Sequence, residues 1–129
     1  MAPALDRLRK IAAWPLVAAY MAVIFYLSHK PAIEIPPLFQ HQDKVFHFVE
    51  YLGLAVLLTF AVGPGPARRR FLLAFALASV YGVTDEIHQS YVPGRECSAW
   101  DWLADTAGGW AGAWLWPRVE SLLTRARNP

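Results

Sequence analysis

The sequence predicts an all-α, polytopic membrane protein, a bundle of four transmembrane helices with both termini in the cytoplasm, built as one domain over residues 1–129. Three observations carry this. The chain is 56% hydrophobic against 17% charged, too apolar for an ordinary soluble domain of its length. Its apolar residues gather in four runs, at about 11–28, 44–62, 71–89 and 98–116, each close to the roughly 17–25 residues that cross a bilayer. Lys and Arg are also unevenly placed. The N-terminal segment, the loop after the second run and the C-terminal tail hold nine, while the other connections hold only Lys30, Lys44 and Arg95. Positive residues collect on the cytoplasmic side, so the two polar connections face outwards.

The first run, Ile11 to Ser28, follows Arg7, Arg9 and Lys10. Its Phe25-Tyr26-Leu27-Ser28 end lacks the small-x-small pattern of a cleaved signal, so it reads as a retained span. Pro15 is expected near the first turn, where no amide donor is required. Residues 29–42 are polar and broken by prolines, a connection with an extended Ile35-Pro36-Pro37 segment against the membrane surface. Asp43 is the expected N-cap of the second span. There Asp43, His47, Glu50 and Leu54 share a stripe, flanked by Lys44 and Tyr51.

Gly63-Pro64-Gly65-Pro66 ends that helix, and Arg68, Arg69 and Arg70 follow. The third span runs to Gln89. Tyr81, Asp85 and His88 form one of its stripes, with Gly82, Glu86 and Gln89 beside it. A Val92-Pro93-Gly94-Arg95 turn leads to the fourth span, which is expected to stop at Pro117. Ser98 and Asp101 have capping-box spacing. Gly108 and Gly112 form a G-x-x-x-G packing face shared with Asp105, and Trp100, Trp110 and Trp114 point towards lipid.

This topology brings every polar stripe to the outer end of the bundle. An ionisable residue at mid-membrane costs about 2.5–3.5 kcal/mol on insertion scales, so His47, Glu50, Asp85, Glu86 and His88 together mark a functional cluster. They are the candidate catalytic residues, and Lys44, Tyr51, Tyr81, Gln89, Arg95, Asp101 and Asp105 are candidate binding residues. The spacings His47-x-x-Glu50 and Asp85-x-x-His88 place an imidazole and a carboxylate on one face of each helix. Such pairs can orient acid–base catalysis or ligate a divalent metal. No cofactor is firmly implied, and a divalent metal is a candidate. Lys44 and Arg95 oppose a cation and suit an anionic group on a ligand.

Other classes find no support. No nucleotide loop or nucleophile elbow is present, the single Cys97 excludes an internal disulfide, and the Arg loop is explained by topology rather than nucleic acid.

Three strings carry a resemblance. D-K-V-F-H-F-V-E-Y-L-G-L (Asp43 to Leu54), Y-G-V-T-D-E-I-H-Q-S-Y-V-P-G-R (Tyr81 to Arg95) and S-A-W-D-W-L-A-D-T-A-G-G-W-A-G (Ser98 to Gly112) resemble the successive motifs of the VanZ family. Phe25 to Ser28 with Pro31 is similar to that family's first motif. The resemblance implies a small multi-pass protein of the bacterial cytoplasmic membrane, from a family whose namesake is linked to low-level teicoplanin resistance, with no settled biochemical activity. It maps motif residues onto Asp43, Lys44, His47, Tyr51, Asp85, Glu86, His88, Gln89, Pro93, Gly94, Arg95, Asp101 and Asp105, the last where the family more often carries Asn.

The leading expectation is an outward-facing polar pocket that binds or processes an amphiphile, such as a membrane lipid, a lipid-linked envelope molecule or an acylated antibiotic. A membrane-embedded hydrolase or transferase using the His–carboxylate pairs is the alternative, with or without metal. A proton-coupled carrier, which four spans would require to be a homo-oligomer, and a non-catalytic scaffold follow.

Overall fold

The computed structural model describes residues 3–31 and 38–127. Within them the chain forms four helices, α1 (Pro3–Ser28), α2 (Gln42–Val62), α3 (Ala67–Gln89) and α4 (Ala99–Arg127), with no strand. Three stretches, Ile11–Ser28, Gln42–Val62 and Ala67–Gln89, are long and apolar enough to cross a membrane. The fourth helix is not among them, because Asp101, Asp105, Thr106 and its glycines dilute its apolar length. The expected Ile35-Pro36-Pro37 segment lies outside the described residues.

Helix α2 is the axis of the bundle. It touches all three other helices and makes its largest interface with α4, whereas α1 and α4 do not meet among the described residues. Small residues allow that interface. A Cβ on Gly108 would strike the Phe48 carbonyl, and one on Gly112 the Leu52 carbonyl. The two backbones are in direct contact, as small-x-x-x-small packing allows. Tyr51, Leu54 and Ala55 of α2 are fully buried with Ala74 and Ala78 of α3 and Ala113 of α4. Outward faces are apolar as well: Val23, Leu72, Leu77, Val80, Ile87 and Trp110 are all exposed, the pattern of helices solvated by lipid rather than water.

Several boundaries differ from expectation. Helix α1 starts at Pro3, so Pro15 lies well inside it, where its missing N–H leaves the Ile11 carbonyl without that partner. The N-cap of α2 is His41, in the left-handed region at φ 61° with no side-chain cap, and Asp43 sits in the first turn. Helix α4 does not stop at Pro117 but continues to Arg127. Contacts on both sides of the proline hold it: Trp116, just before, meets Phe60 edge-on at 5.6 Å, and Glu120, beyond, accepts a hydrogen bond from Arg70 at 2.7 Å.

The α3–α4 connection follows its chemistry. Arg95 N–H donates to the Val92 carbonyl at 3.0 Å and Gly94 has φ 78°, so Pro93 and Gly94 occupy the central positions of a tight turn that needs positive φ at the second. The chain reverses, and the end of α3 stands beside the start of α4.

Candidate functional site

Polar side chains from α2, α3 and α4 meet around His47. One turn into α2, its Nδ1 donates to Asp105 Oδ1 of α4 at 2.8 Å. Glu86 Oε1 lies 4.0 Å from the same nitrogen, and Asp101 Oδ2 lies 3.9 Å from Nε2. Asp105 fits here because Gly82 of α3 has no side chain; a Cβ there would lie 3.1 Å from Asp105 Oδ2.

Ser98 and Glu86 divide the work of capping α4. Asp101 N–H donates to Ser98 Oγ at 3.3 Å, one half of the expected capping box. The other half is supplied from α3, since Ser98 N–H donates to Glu86 Oε2 at 2.8 Å. That releases the Asp101 carboxylate, which accepts from Lys44 Nζ at 2.5 Å, while Asp43 accepts from the same ammonium at 2.5 Å. The positive charge of Lys44 is therefore already matched.

On the other side of His47 lies an open cavity of about 730 Å³ between α1, α2 and α3. Its polar lining includes His47, Glu50, Asp85, Gln89, Arg95 and a second cation, Lys30, and Ile24, Leu27, Phe39 and Phe46 are among its apolar walls. His47 belongs to both the cavity and the three-helix cluster, as does Asp43 through Lys44. Gln89 Nε2 donates to Ser28 Oγ at 2.7 Å and to Asp85 Oδ2 at 3.2 Å, fixing the α1 wall against α3. Arg95 donates from Nε to the Lys30 carbonyl at 3.0 Å and from an NH2 group to the Leu27 carbonyl at 3.2 Å. A guanidinium thus caps the end of α1, adding to the Lys30 N–H that the Leu27 carbonyl already accepts, where the helix dipole favours a cation.

Four buried polar atoms in this region have no hydrogen-bond partner: Tyr51 Oη, Asp85 Oδ1, Glu86 Oε1 and Asp105 Oδ2. Buried polar groups are nearly always paired, so the cluster has unused capacity for a proton, water or a ligand. His47, Glu86 and Asp105 each present one donor atom, all within 4.8 Å of one another.

Most sequence-predicted site residues converge, though not in the expected pairs. His47 does not pair with Glu50 one turn on; its carboxylate neighbours within 4.0 Å come from α3 and α4. Nor do Asp85 and His88 hydrogen-bond to each other. His88 turns away from the cavity, with Nε2 3.2 Å from His29 Nδ1 and its ring 4.2 Å from that of Phe25. Tyr81 is half-buried and donates to the Met21 carbonyl at 2.7 Å. Tyr51 is fully buried beneath the cluster, its ring 6.2 Å from that of Tyr81.

Sequence reasoning placed Ser28 in a motif and Gly82 on a stripe but named neither as a site residue. Ser28 ends an apolar run and its hydroxyl carries no periodic signal, while Gly82 matters only through a helix 23 positions further along the chain.

No curated protein and no solved structure matches the chain. The family model described as VanZ/LLP1 matches residues 12–123, which takes in α2 and α3, most of α1 and α4, and every residue of the His47 cluster. The chain belongs to the VanZ/LLP1 family.

Proposed function

We propose that the cavity beside His47 binds the anionic headgroup of an amphiphile while its acyl or prenyl portion leaves between the helices into lipid. The protein then crosses the cytoplasmic membrane four times, with both termini inside and the cavity facing outwards. One observation carries the reading: a cavity large enough for a headgroup joins apolar walls to a polar floor, and it opens at the helix ends, where headgroups reside. Small-molecule sites have this composition, mostly apolar with a few convergent polar groups. Arg95 is the natural partner for a phosphate or carboxylate, because a guanidinium presents several donors in one plane. Teicoplanin, an anionic glycopeptide with an acyl tail, belongs to this ligand class, as do lipid-linked phosphates.

Titration of detergent-solubilised protein with a fluorescent polyprenyl phosphate tests this. Binding should weaken by at least about tenfold in Arg95→Ala, since one charge-assisted hydrogen bond contributes about 1.5–3 kcal/mol, and stay unchanged in His88→Ala. Equal binding by wild type and an Asp85→Ala, Arg95→Ala double variant contradicts the reading.

A further inference from the structure

We propose that His47, Glu86 and Asp105 form a binding site for one divalent metal ion of the Zn²⁺ class. The site requires nothing in the neighbouring cavity and goes beyond the amphiphile reading.

Geometry comes first. One nitrogen and two carboxylate oxygens, from three different helices, lie within 4.8 Å of one another, close enough for a single ion with bonds of about 2.0–2.2 Å after small side-chain adjustments. The donors are unusually secluded: His47 is 8% exposed, Glu86 3% and Asp105 0%. Glu86 Oε1 and Asp105 Oδ2 have no hydrogen-bond partner, and Glu86 Oε1 already lies on the His47 side, 4.0 Å from Nδ1.

Charge points the same way. Lys44 is engaged by Asp43 and Asp101, which leaves Glu86 and Asp105 as two carboxylates around one imidazole. With all three donors deprotonated, as coordination requires, they carry two negative charges, and a divalent cation balances them. The nearby cation that appeared to oppose a metal is thus neutralised by different acids. On loading, Nδ1 gives up its proton while Nε2, 3.9 Å from Asp101 Oδ2, keeps or takes up one, so the imidazole stays neutral and the Nδ1 lone pair coordinates. Imidazole with carboxylates suits borderline ions such as Zn²⁺, Co²⁺ and Mn²⁺ rather than soft Cu⁺. Three protein donors leave a coordination position for water or a ligand oxygen, and His47, which also lines the cavity, marks the route of entry.

The experiment uses full-length protein without a histidine tag, stripped with chelator and titrated with Zn²⁺ or Co²⁺ alone. Wild type should bind one ion per chain. Asp105→Asn and Glu86→Gln should each weaken binding by at least the roughly 10- to 100-fold that loss of a supporting partner costs. A His29→Ala, His88→Ala double variant should bind as wild type does. Pulsed electron paramagnetic resonance of paramagnetic Co²⁺-loaded wild type should report coupling to one imidazole nitrogen, a readout that needs no variant to fold. Absence of a stoichiometric ion, absence of nitrogen coupling, undiminished binding in a folded Asp105→Asn protein, or loss of binding only in the His29, His88 variant each overturns the assignment.

Discussion

Gly82 and Asp105 are matched across the α3–α4 interface: the carboxylate occupies the space that a side chain at position 82 would fill. An added Cβ would lie 3.1 Å from Asp105 Oδ2, 3.2 Å from its Cβ and 3.3 Å from Trp102 Cδ1. None of these can yield freely, since Asp105 is held by His47 and Trp102 donates its indole N–H to the Ser79 carbonyl. Gly82→Ala should destabilise the bundle by about 1–3 kcal/mol, the usual cost of overpacking, read as a lower melting temperature in detergent. Gly82→Ser should be no milder.

The glycines of α4 should separate by what they face. Gly108→Ala meets the Phe48 backbone, which cannot move without displacing α2, whereas Gly109→Ala meets only the Ala78 methyl at 3.1 Å. The former should cost several times more stability than the latter in the same thermal assay. Comparable losses would show that α2 and α4 do not pack backbone to backbone.

At the opposite end of the bundle, Arg70 and Glu120 form a largely buried pair. Arg70 donates from NH1 to Glu120 Oε2 at 2.7 Å and from NH2 to the Thr59 carbonyl at 3.4 Å, while its Nε is unpartnered. Removing one partner of a buried pair costs about 3–5 kcal/mol; Glu120 retains some exposure, so Glu120→Ala should fall below that range. An Arg70→Leu, Glu120→Leu double variant should recover most of the loss, as apolar replacements of buried pairs often do. Thermal unfolding of the three variants checks both statements.

Helix positions were legible in the sequence because apolar length and proline–glycine punctuation are local properties. The polar stripe of α2 was equally plain, since His47 and its neighbours recur at helical spacing. Which residues would meet was not legible. Intrahelical spacing pairs His47 with Glu50 and Asp85 with His88, yet the realised partners depend on how α3 and α4 rotate against α2. That rotation is set by Gly82, Gly108 and Gly112, whose effect is visible only once the backbones touch. Pro117 misled for a related reason: a proline removes one hydrogen bond, and the contacts of Trp116 and Glu120 outweigh it.

Cys97 offers a native probe of orientation. It is the sole cysteine, exposed and free in the turn before α4, at the cavity end of the bundle. A membrane-impermeant maleimide should label it in intact spheroplasts to the same extent as after permeabilisation. Labelling only after permeabilisation would place the cavity on the cytoplasmic side.

The most direct test of the cavity as an amphiphile site is the lipid that the purified protein retains. Leu27 lines the cavity and is exposed enough, at 44%, for a larger side chain to be accommodated without disturbing the core. Leu72 is similarly exposed, at 45%, and does not line it. Native mass spectrometry should find one anionic amphiphile held by wild type and by Leu72→Trp, and its loss in Leu27→Trp. An identical lipid complement on all three proteins would contradict the account.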